Sequence, residues 1–208
     1  MEFIVQGLVG IIFWINSFLA DFGLSIILFT FILKVILSPL EFLVFLEEEK
    51  IKRLKPKMDE ILKKYKKDFQ KQAELLSEIY KKENYNPFFT IFIQFLPLPI
   101  FLGIFFALSQ ILKNPNTNLY FLGSINLAEK NYFLFLVMTI FQYLTLLKLP
   151  KDQRKIAFLF FGLIVIVLVQ FPAIFTLYWT INLILTLPQR LIFEKLTYQR
   201  NLNLVSKS

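Results

Sequence analysis

Residues 22–45 read FGLSIILFTFILKVILSPLEFLVF, a nearly unbroken apolar run with one cation, Lys34, set twelve residues in. At 1.5 Å per residue these 24 residues make about 36 Å of helix, enough to cross a ~30 Å hydrocarbon core with some tilt. The next acidic residue along the chain is Glu41. A charge at that depth costs roughly 2.5–3.5 kcal/mol on insertion scales, so it usually faces water or protein rather than lipid. The stretch predicts a membrane protein whose first span is residues 22–46 and whose first functional candidate is Lys34. The alternative is a lysine snorkelling to an interface, and from mid-span its reach is poor.

Composition agrees. The chain has 208 residues, 56% of them hydrophobic, with 26 Phe, 8 Tyr and 2 Trp, more apolar matter than one soluble core of that length holds. The absence of Cys excludes disulfides, iron–sulfur clusters and a lipid-modified cysteine. The absence of His removes the commonest metal ligand and general base, which argues against an enzyme and implies no cofactor or metal. The net charge of +8 is concentrated: 12 Lys and Arg lie between Glu47 and Asn86, four between Lys148 and Lys155, and four after Pro188. If those segments share one side, the positive-inside rule makes it the cytoplasm, and the charge also suits anionic lipid. That placement explains the charge without a nucleic-acid function, although the basic tail leaves ribosome contact open.

The rest of the chain divides by the same signals. Residues 1–21 are apolar but interrupted by Gln6, Gly7, Gly10 and Asn16, and no basic start or cleavage site marks a signal peptide. They read as an interfacial helix on the outer membrane surface, with a sixth span as the rival. Residues 47–86 are charge-rich, yet apolar residues recur at Ile51, Leu54, Met58, Ile61 and Tyr65, and again at Phe69, Ala73, Leu76 and Tyr80. Two such stripes joined by Lys66-Lys67-Asp68 predict an antiparallel helical hairpin, with Asp68 capping its second arm. Pro56 is expected to open the first arm or to kink the helix leaving the membrane. Further spans follow at 87–112, which carries Pro97 and Pro99, and at 131–147, 156–170 and 174–193. Between them lie a polar outer loop at 113–130, a short basic cytoplasmic loop at 148–155 and a tight outer turn at 171–173; a basic cytoplasmic tail occupies 194–208. The predicted fold class is an all-α membrane protein, with five transmembrane helices around a hydrophilic groove, a cytoplasmic helical hairpin and an N-terminal interfacial helix.

The order of the pieces is more specific than any one of them. LSIILFTFILKVILSPLE is followed by a basic hairpin containing LKPKMDEILKKYKKD and IYKKENYNP, then a Pro-bearing span, then FPAIFTLYWTINLILTLPQ. From about Trp14 to Gln189 this sequence resembles the YidC family of membrane protein insertases, in the form of its minimal core without a large extracytoplasmic domain. The resemblance implies a multi-pass protein of the bacterial inner (plasma) membrane, with its N-terminus outside and C-terminus inside. It implies that hydrophobic segments enter through a groove open to the cytoplasm and leave into lipid. Its implied partners are nascent or newly made membrane proteins, and possible further ones are the Sec translocon and the ribosome.

It also implies site residues. Lys34 stands where the family usually has a groove arginine, keeping the charge but losing the planar five-donor fork. In the second span Ile93, Pro97 and Pro99 stand where a Pro-Gln-Pro pattern is usual with the Gln at Pro97, so the family's groove glutamine is missing. Gln94, one turn before Pro97, is the candidate replacement. Leu98 and Phe101 match substrate-path positions, with ordinary helix packing as the alternative. Tyr178 and Trp179 match groove positions that contact an incoming segment, with interface aromatics as the alternative. Asn182 at mid-depth needs a hydrogen-bond partner in either case. A small-solute or ion transporter is the rival function, since it would also use an intramembrane cation and Pro-broken helices. Such a protein should open to the outer side as well.

Overall fold

The computed structural model describes residues 2–147 and 151–205, with side chains placed for all of these but 151–153, 155, 164 and 200–205. Helices dominate: α1 (Glu2–Leu19), α2 (Phe22–Lys64), α3 (Phe69–Lys82), α4 (Pro87–Phe95), α5 (Pro97–Leu112), α6 (Tyr132–Leu147), α7 (Lys151–Leu168) and α8 (Ala173–Val205). Three segments, α1, α2 and the α4–α5 pair, are long and apolar enough to cross a membrane, while α6 and residues 156–168 are shorter apolar helices. The chain divides into two compact units, a bundle of residues 1–37 and 100–208 and a hairpin unit of residues 38–99.

In the bundle, α1 turns into α2 at Ala20, which takes a left-handed φ of 52°. Asp21 then caps α2 by accepting the Leu24 N–H at 2.9 Å, and the Ser25 hydroxyl donates to Asn16 Oδ1 at 3.2 Å, tying the two helices at their junction. Ile12, Ile15, Phe22, Ile26, Ile104 and Leu108 form the centre of the core. Gly103 of α5 faces α1, where an added Cβ would make ordinary contact with Leu8 at 3.6 Å. The other side of α1 exposes Phe3, Trp14 and Phe18, an aromatic face suited to lipid.

The expected polar loop at 113–130 holds more structure than its composition suggests. Strands β1 (Tyr120–Phe121) and β2 (Ile125–Asn126) pair antiparallel, with Tyr120 opposite Asn126. The turn uses left-handed Leu122 and Gly123. Leu119 and Leu127 are buried below it. The loop is stitched to its neighbours through the backbone: Ile174 N–H donates to Leu127 O at 3.0 Å, and Ala173 N–H donates to Glu129 O at 2.7 Å. Asp21 Oδ2 accepts the Leu122 N–H at 2.7 Å. Gly23 passes so close to Phe121 that an added Cβ would lie 2.5 Å from the phenylalanine Cβ.

In the hairpin unit, α2 runs on without a break from the apolar stretch to Lys64, carrying Pro39 and Pro56 inside it. Pro56 therefore does not open a new arm. On either side of it Arg53 donates to Glu83 Oε2 at 3.0 Å and Lys57 to Glu83 Oε1 at 3.2 Å, exposed pairs that link α2 to the end of α3. The first stripe is as expected, with Leu54 buried and Ile51, Met58, Ile61 and Tyr65 half-buried. The second is rotated. Phe69 and Ala73 are exposed, and Gln72, Leu75, Leu76, Ile79 and Tyr80 form the inner face. Asp68 does cap α3, accepting the Lys71 N–H at 3.0 Å, and Gln72 Nε2 donates to Tyr65 O at 2.8 Å, turning position 72 rather than 73 inward. Tyr80 stacks edge-on against Tyr85 at 5.2 Å, and its phenol is pushed above the ordinary value by burial and by that neighbour.

The return to the apolar region is capped by Asn86, whose side chain accepts the Phe88 and Phe89 N–H groups ahead of α4. The predicted 87–112 helix is interrupted at the single residue Leu96, which keeps right-handed helical angles. Pro97 and Pro99 remove the N–H groups that would bond the Ile93 and Phe95 carbonyls, and Ile93 O takes the Leu96 N–H at 3.3 Å instead. The two joins between the units, at 37/38 and 99/100, both lie beside prolines, Pro39 on one and Pro97 and Pro99 on the other. The basic loop expected at 148–155 is shorter than predicted, because α7 already begins at Lys151; residues 148–150 lie outside the described residues. The 194–208 tail is helical as far as Val205, continuous with α8, and residues 206–208 lie outside them.

Candidate functional site

Lys34 is half-buried on α2. Ile26 and Thr30 precede it by two turns and one turn, at 0% and 2% exposure, so the three residues share one face of the helix. Leu28, Ile32, Val35 and Ile36 form the opposite, exposed face, with Ile36 at 66%. On an apolar helix that exposed side is the one for lipid, which leaves Lys34 on the side turned to protein. Thr30, one turn away, is a polar neighbour that the sequence reading passed over. Its hydroxyl donates to Ile26 O at 2.6 Å, leaving its oxygen able to accept.

The aromatic half of the candidate site lies on α8. Its first turns are buried almost all round, from Ala173 to Tyr178, which fits a helix packed on every side. Tyr178 is 9% exposed, Trp179 and Asn182 are half-buried, and Asn182 lies one turn past Tyr178. Thr180 and Thr186 hydroxyls return to the carbonyls of Thr176 and Asn182 at 2.7 Å each, so their donors are used within the helix. Phe101 of α5 meets the Trp179 ring edge-on, with centroids 5.4 Å apart and planes at 87°. Both rings border an apolar cavity of about 290 Å³ that is also lined by Phe105, Phe171, Phe175 and Tyr178, and only apolar atoms face it. The structure thus brings Phe101, Tyr178 and Trp179 together.

Two contacts here were not foreseen. Trp179 Nε1–H donates to Oε1 of Gln142, on α6, at 3.2 Å. An amide within an apolar helix is the same kind of signal that marks Lys34, and it could have been found by the same rule. In the hairpin unit, Glu47 is 7% exposed; its Oε2 accepts the Thr90 hydroxyl at 2.6 Å and its Oε1 the Lys50 ammonium at 2.9 Å. The Thr90 partner was not visible from spacing, because it lies 43 residues away, whereas Lys50 is an ordinary i,i+3 neighbour.

The other candidates also belong to the hairpin unit. On α4, Gln94 is exposed beside buried Ile93. Leu98, just beyond the break, is 50% exposed, an accessible apolar side chain rather than a core one. Among the described residues no cluster of acidic side chains could hold a metal ion.

Comparison with known proteins places this arrangement. A family model described as 60Kd inner membrane protein matches residues 14–201. The chain is 30% identical over 201 residues to the membrane protein insertase YidC of Helicobacter pylori strain 26695, covering 94% of this chain and 37% of that protein. It is 31% identical over 196 residues to the membrane protein insertase YidC of Pseudoalteromonas atlantica, covering 91% of this chain and 36% of that one. A crystal structure described as active YidC insertase with the first transmembrane domain resolved superposes with a TM-score of 0.66. That match is 24% identical over 90% of this chain and 45% of the other, a likeness of fold. The chain thus spans a little over a third of the length of its curated relatives.

Proposed function

Because the chain belongs to the 60Kd inner membrane protein family, we propose that it is a membrane protein insertase, admitting hydrophobic segments through a hydrophilic groove open to the cytoplasm and releasing them into lipid. The observation that carries this reading is Lys34, a cation within an apolar helix that lies on the protein-facing side with Ile26 and Thr30. Insertion requires a polar flank to cross hydrocarbon while an apolar helix slides into it. A hydrated pocket part-way through shortens the dry path, and a fixed cation there attracts acidic residues in the flank. No bond is made or broken, so Lys34 attracts charge and does not act as a base. Asn182 supplies a further polar group to the groove, while Gln94, exposed on α4, is a separate polar candidate of the hairpin unit. Phe101, Tyr178 and Trp179 offer the apolar surface along which the segment passes, and Leu98 is a separate exposed apolar candidate of the hairpin unit.

In this reading five helices span a bacterial inner membrane, with the N-terminus outside and the C-terminus in the cytoplasm, and α1 lies in the outer interface. The β-hairpin end faces outward. The basic hairpin of residues 47–86 lies in the cytoplasm, where it meets anionic headgroups and receives newly made membrane proteins. The Sec translocon and the ribosome are further partners in the same reading. The test is reconstitution into liposomes followed by addition of a short single-span substrate. Protease-protected substrate should form in these vesicles and not in protein-free ones. Equal protection in both would refute the reading.

A further inference from the structure

We infer that the turn of the β-hairpin is a lipid anchor, with the Leu122 side chain set into the leaflet where α2 begins. The inference goes beyond the insertase reading and needs only that α2 crosses a membrane, whatever the chain does there. Ser124 N–H closes the turn on Phe121 O at 3.2 Å, and both residues between them are left-handed, Leu122 at φ 50° and Gly123 at 65°. Positive φ at both central positions is the pattern of a primed hairpin turn, which favours Asn, Asp or Gly. Asn and Asp offset the crowding of Cβ with a local hydrogen bond, and leucine has none to make. Nor does packing explain the choice, because Leu122 is 64% exposed. An apolar side chain that crowds its own backbone and is left out of the core points to a contact outside the chain.

The hairpin's fastenings place that contact. One carboxylate, Asp21, accepts the Leu122 N–H at Oδ2 and the Leu24 N–H at Oδ1, at 2.7 and 2.9 Å. Phe121 lies against Gly23. Asp21 and Gly23 flank Phe22, where the apolar run of α2 starts, so the turn is level with the start of the span. That level is the boundary between headgroups and hydrocarbon. Leu24 heads the exposed stripe that continues through Leu28, Ile32 and Ile36, the face of α2 left for lipid. Leu122 is tied to the head of that stripe, and its exposed side chain extends the same surface. At the same junction Trp14 and Phe18 are exposed and meet edge-on at 5.0 Å, an aromatic pair of the kind that sits at membrane interfaces. Lipid is the occupant because the turn continues a lipid face. Held there, the turn fastens the 113–130 loop to the bilayer surface.

The chain has no cysteine, so nitroxide labels can be placed one at a time. L122C, N116C and I36C variants of the full chain are labelled, reconstituted in phosphatidylcholine vesicles, and read for collision with oxygen and with a water-soluble nickel chelate. Oxygen concentrates in hydrocarbon and the chelate in water. The oxygen-to-nickel ratio at 122 should be severalfold above that at exposed Asn116, in the polar part of the loop, and below that at Ile36, well along the lipid face. A ratio at 122 matching that at 116 would overturn the inference, because the turn would stand in water. One matching that at 36 would overturn the placement at the boundary. A second set guards against a label that seeks lipid by itself. A nitroxide on S124C reads the mobility of the turn with Leu122 intact and in L122N and L122F. Asn suits a left-handed backbone, so if Leu122 faced water L122N would leave the turn as still or stiller. Loss of an anchor should instead raise mobility in L122N, while L122F stays restrained. No gain in L122N, or an equal gain in L122F, overturns the inference. If one set fails to accumulate in membranes, the other decides.

Discussion

Replacing Lys34 tests whether the buried cation attracts charge or merely fills space. The side chain is half-buried, so its surroundings lie between a dry interior and bulk water. With an effective dielectric of ~40 and a separation of ~8 Å, its attraction for one carboxylate in a translocating flank is about 1 kcal/mol. At 1.4 kcal/mol per decade that corresponds to about fivefold in partition toward the groove. Lys34→Ala should therefore lower insertion of a substrate with one acidic residue in its flank about fivefold more than insertion of its neutral twin. Lys34→Arg should match or exceed the native chain, since the charge stays and donors are added. Moderate salt should narrow the difference less than at an exposed site, because a partly buried charge is poorly screened. The assay is protease-protected yield in proteoliposomes for the two substrates side by side. An equal loss for both flanks would show that Lys34 only hydrates or supports the helix, and the electrostatic reasoning would fail.

Gly23→Ala should lower the thermal midpoint, since the new methyl would sit 2.5 Å from Phe121 Cβ, an atom fixed to the backbone that cannot rotate away. Overpacking of that kind costs about 1–3 kcal/mol, and an unchanged midpoint would count against the close packing of β1 on α2. Thr90→Val should speed amide exchange at residues 47–50 and 88–90, because it strips a donor from the buried Glu47 carboxylate at a cost of about 1.5–3 kcal/mol. Thr90→Ser should restore protection there, and native-like exchange in the valine variant would show that the bond is idle. Single cysteines at Lys67 and Asn116 should label from opposite faces of the membrane, with no native cysteine to interfere. Labelling from the same face would refute the proposed topology.

Much of this was legible because the strongest signals were local. Lys34 stood out because charge in an apolar run is expensive wherever it occurs. The Asp68 cap could be read because a cap needs only a short side chain and a donor three residues on. The hairpin's second stripe was misplaced by its outermost residue. Phe69 is apolar yet 77% exposed, and periodicity cannot tell an exposed apolar residue from a packed one until a partner such as Gln72–Tyr65 sets the rotation. Pro56 looked like a helix boundary because its local cost is certain. The contacts of Arg53 and Lys57 that flank it come from Glu83, well along the chain. The 120–126 hairpin was hidden because its strands are two residues each, too short for any period, and it is held by bonds to Asp21, Ala173 and Ile174. The family resemblance named Trp179 but could not name Gln142, since the pair exists only once α6 and α8 are packed together.

The distribution of backbone hydrogen bonds bears on direction. At the β-hairpin end of the bundle, Leu127 N–H bonds to Leu119 O at 2.8 Å, Ile174 to Leu127, Ala173 to Glu129, and Leu122 to Asp21. Opening that end would break these bonds together and expose Leu119 and Leu127, buried at 6% and 0%. Near the 99/100 join the chain instead runs through Pro97 and Pro99, where backbone donors are already missing and fewer bonds stand to be lost. Motion in a fold is drawn from its least-bonded segments, so the bonding pattern favours change beside Pro97 and Pro99 over change at the β-hairpin. An insertase must admit a polar flank without leaving a continuous pore. A fold stitched at one end and less bonded beside Pro97 and Pro99 can meet that demand with its ground-state structure, provided the stitched end faces outward as proposed. Amide exchange in the membrane-embedded protein should then be slowest at Leu127 and Ile174 and faster at Leu96 and Ile100. The reverse order would place the seal at the wrong end.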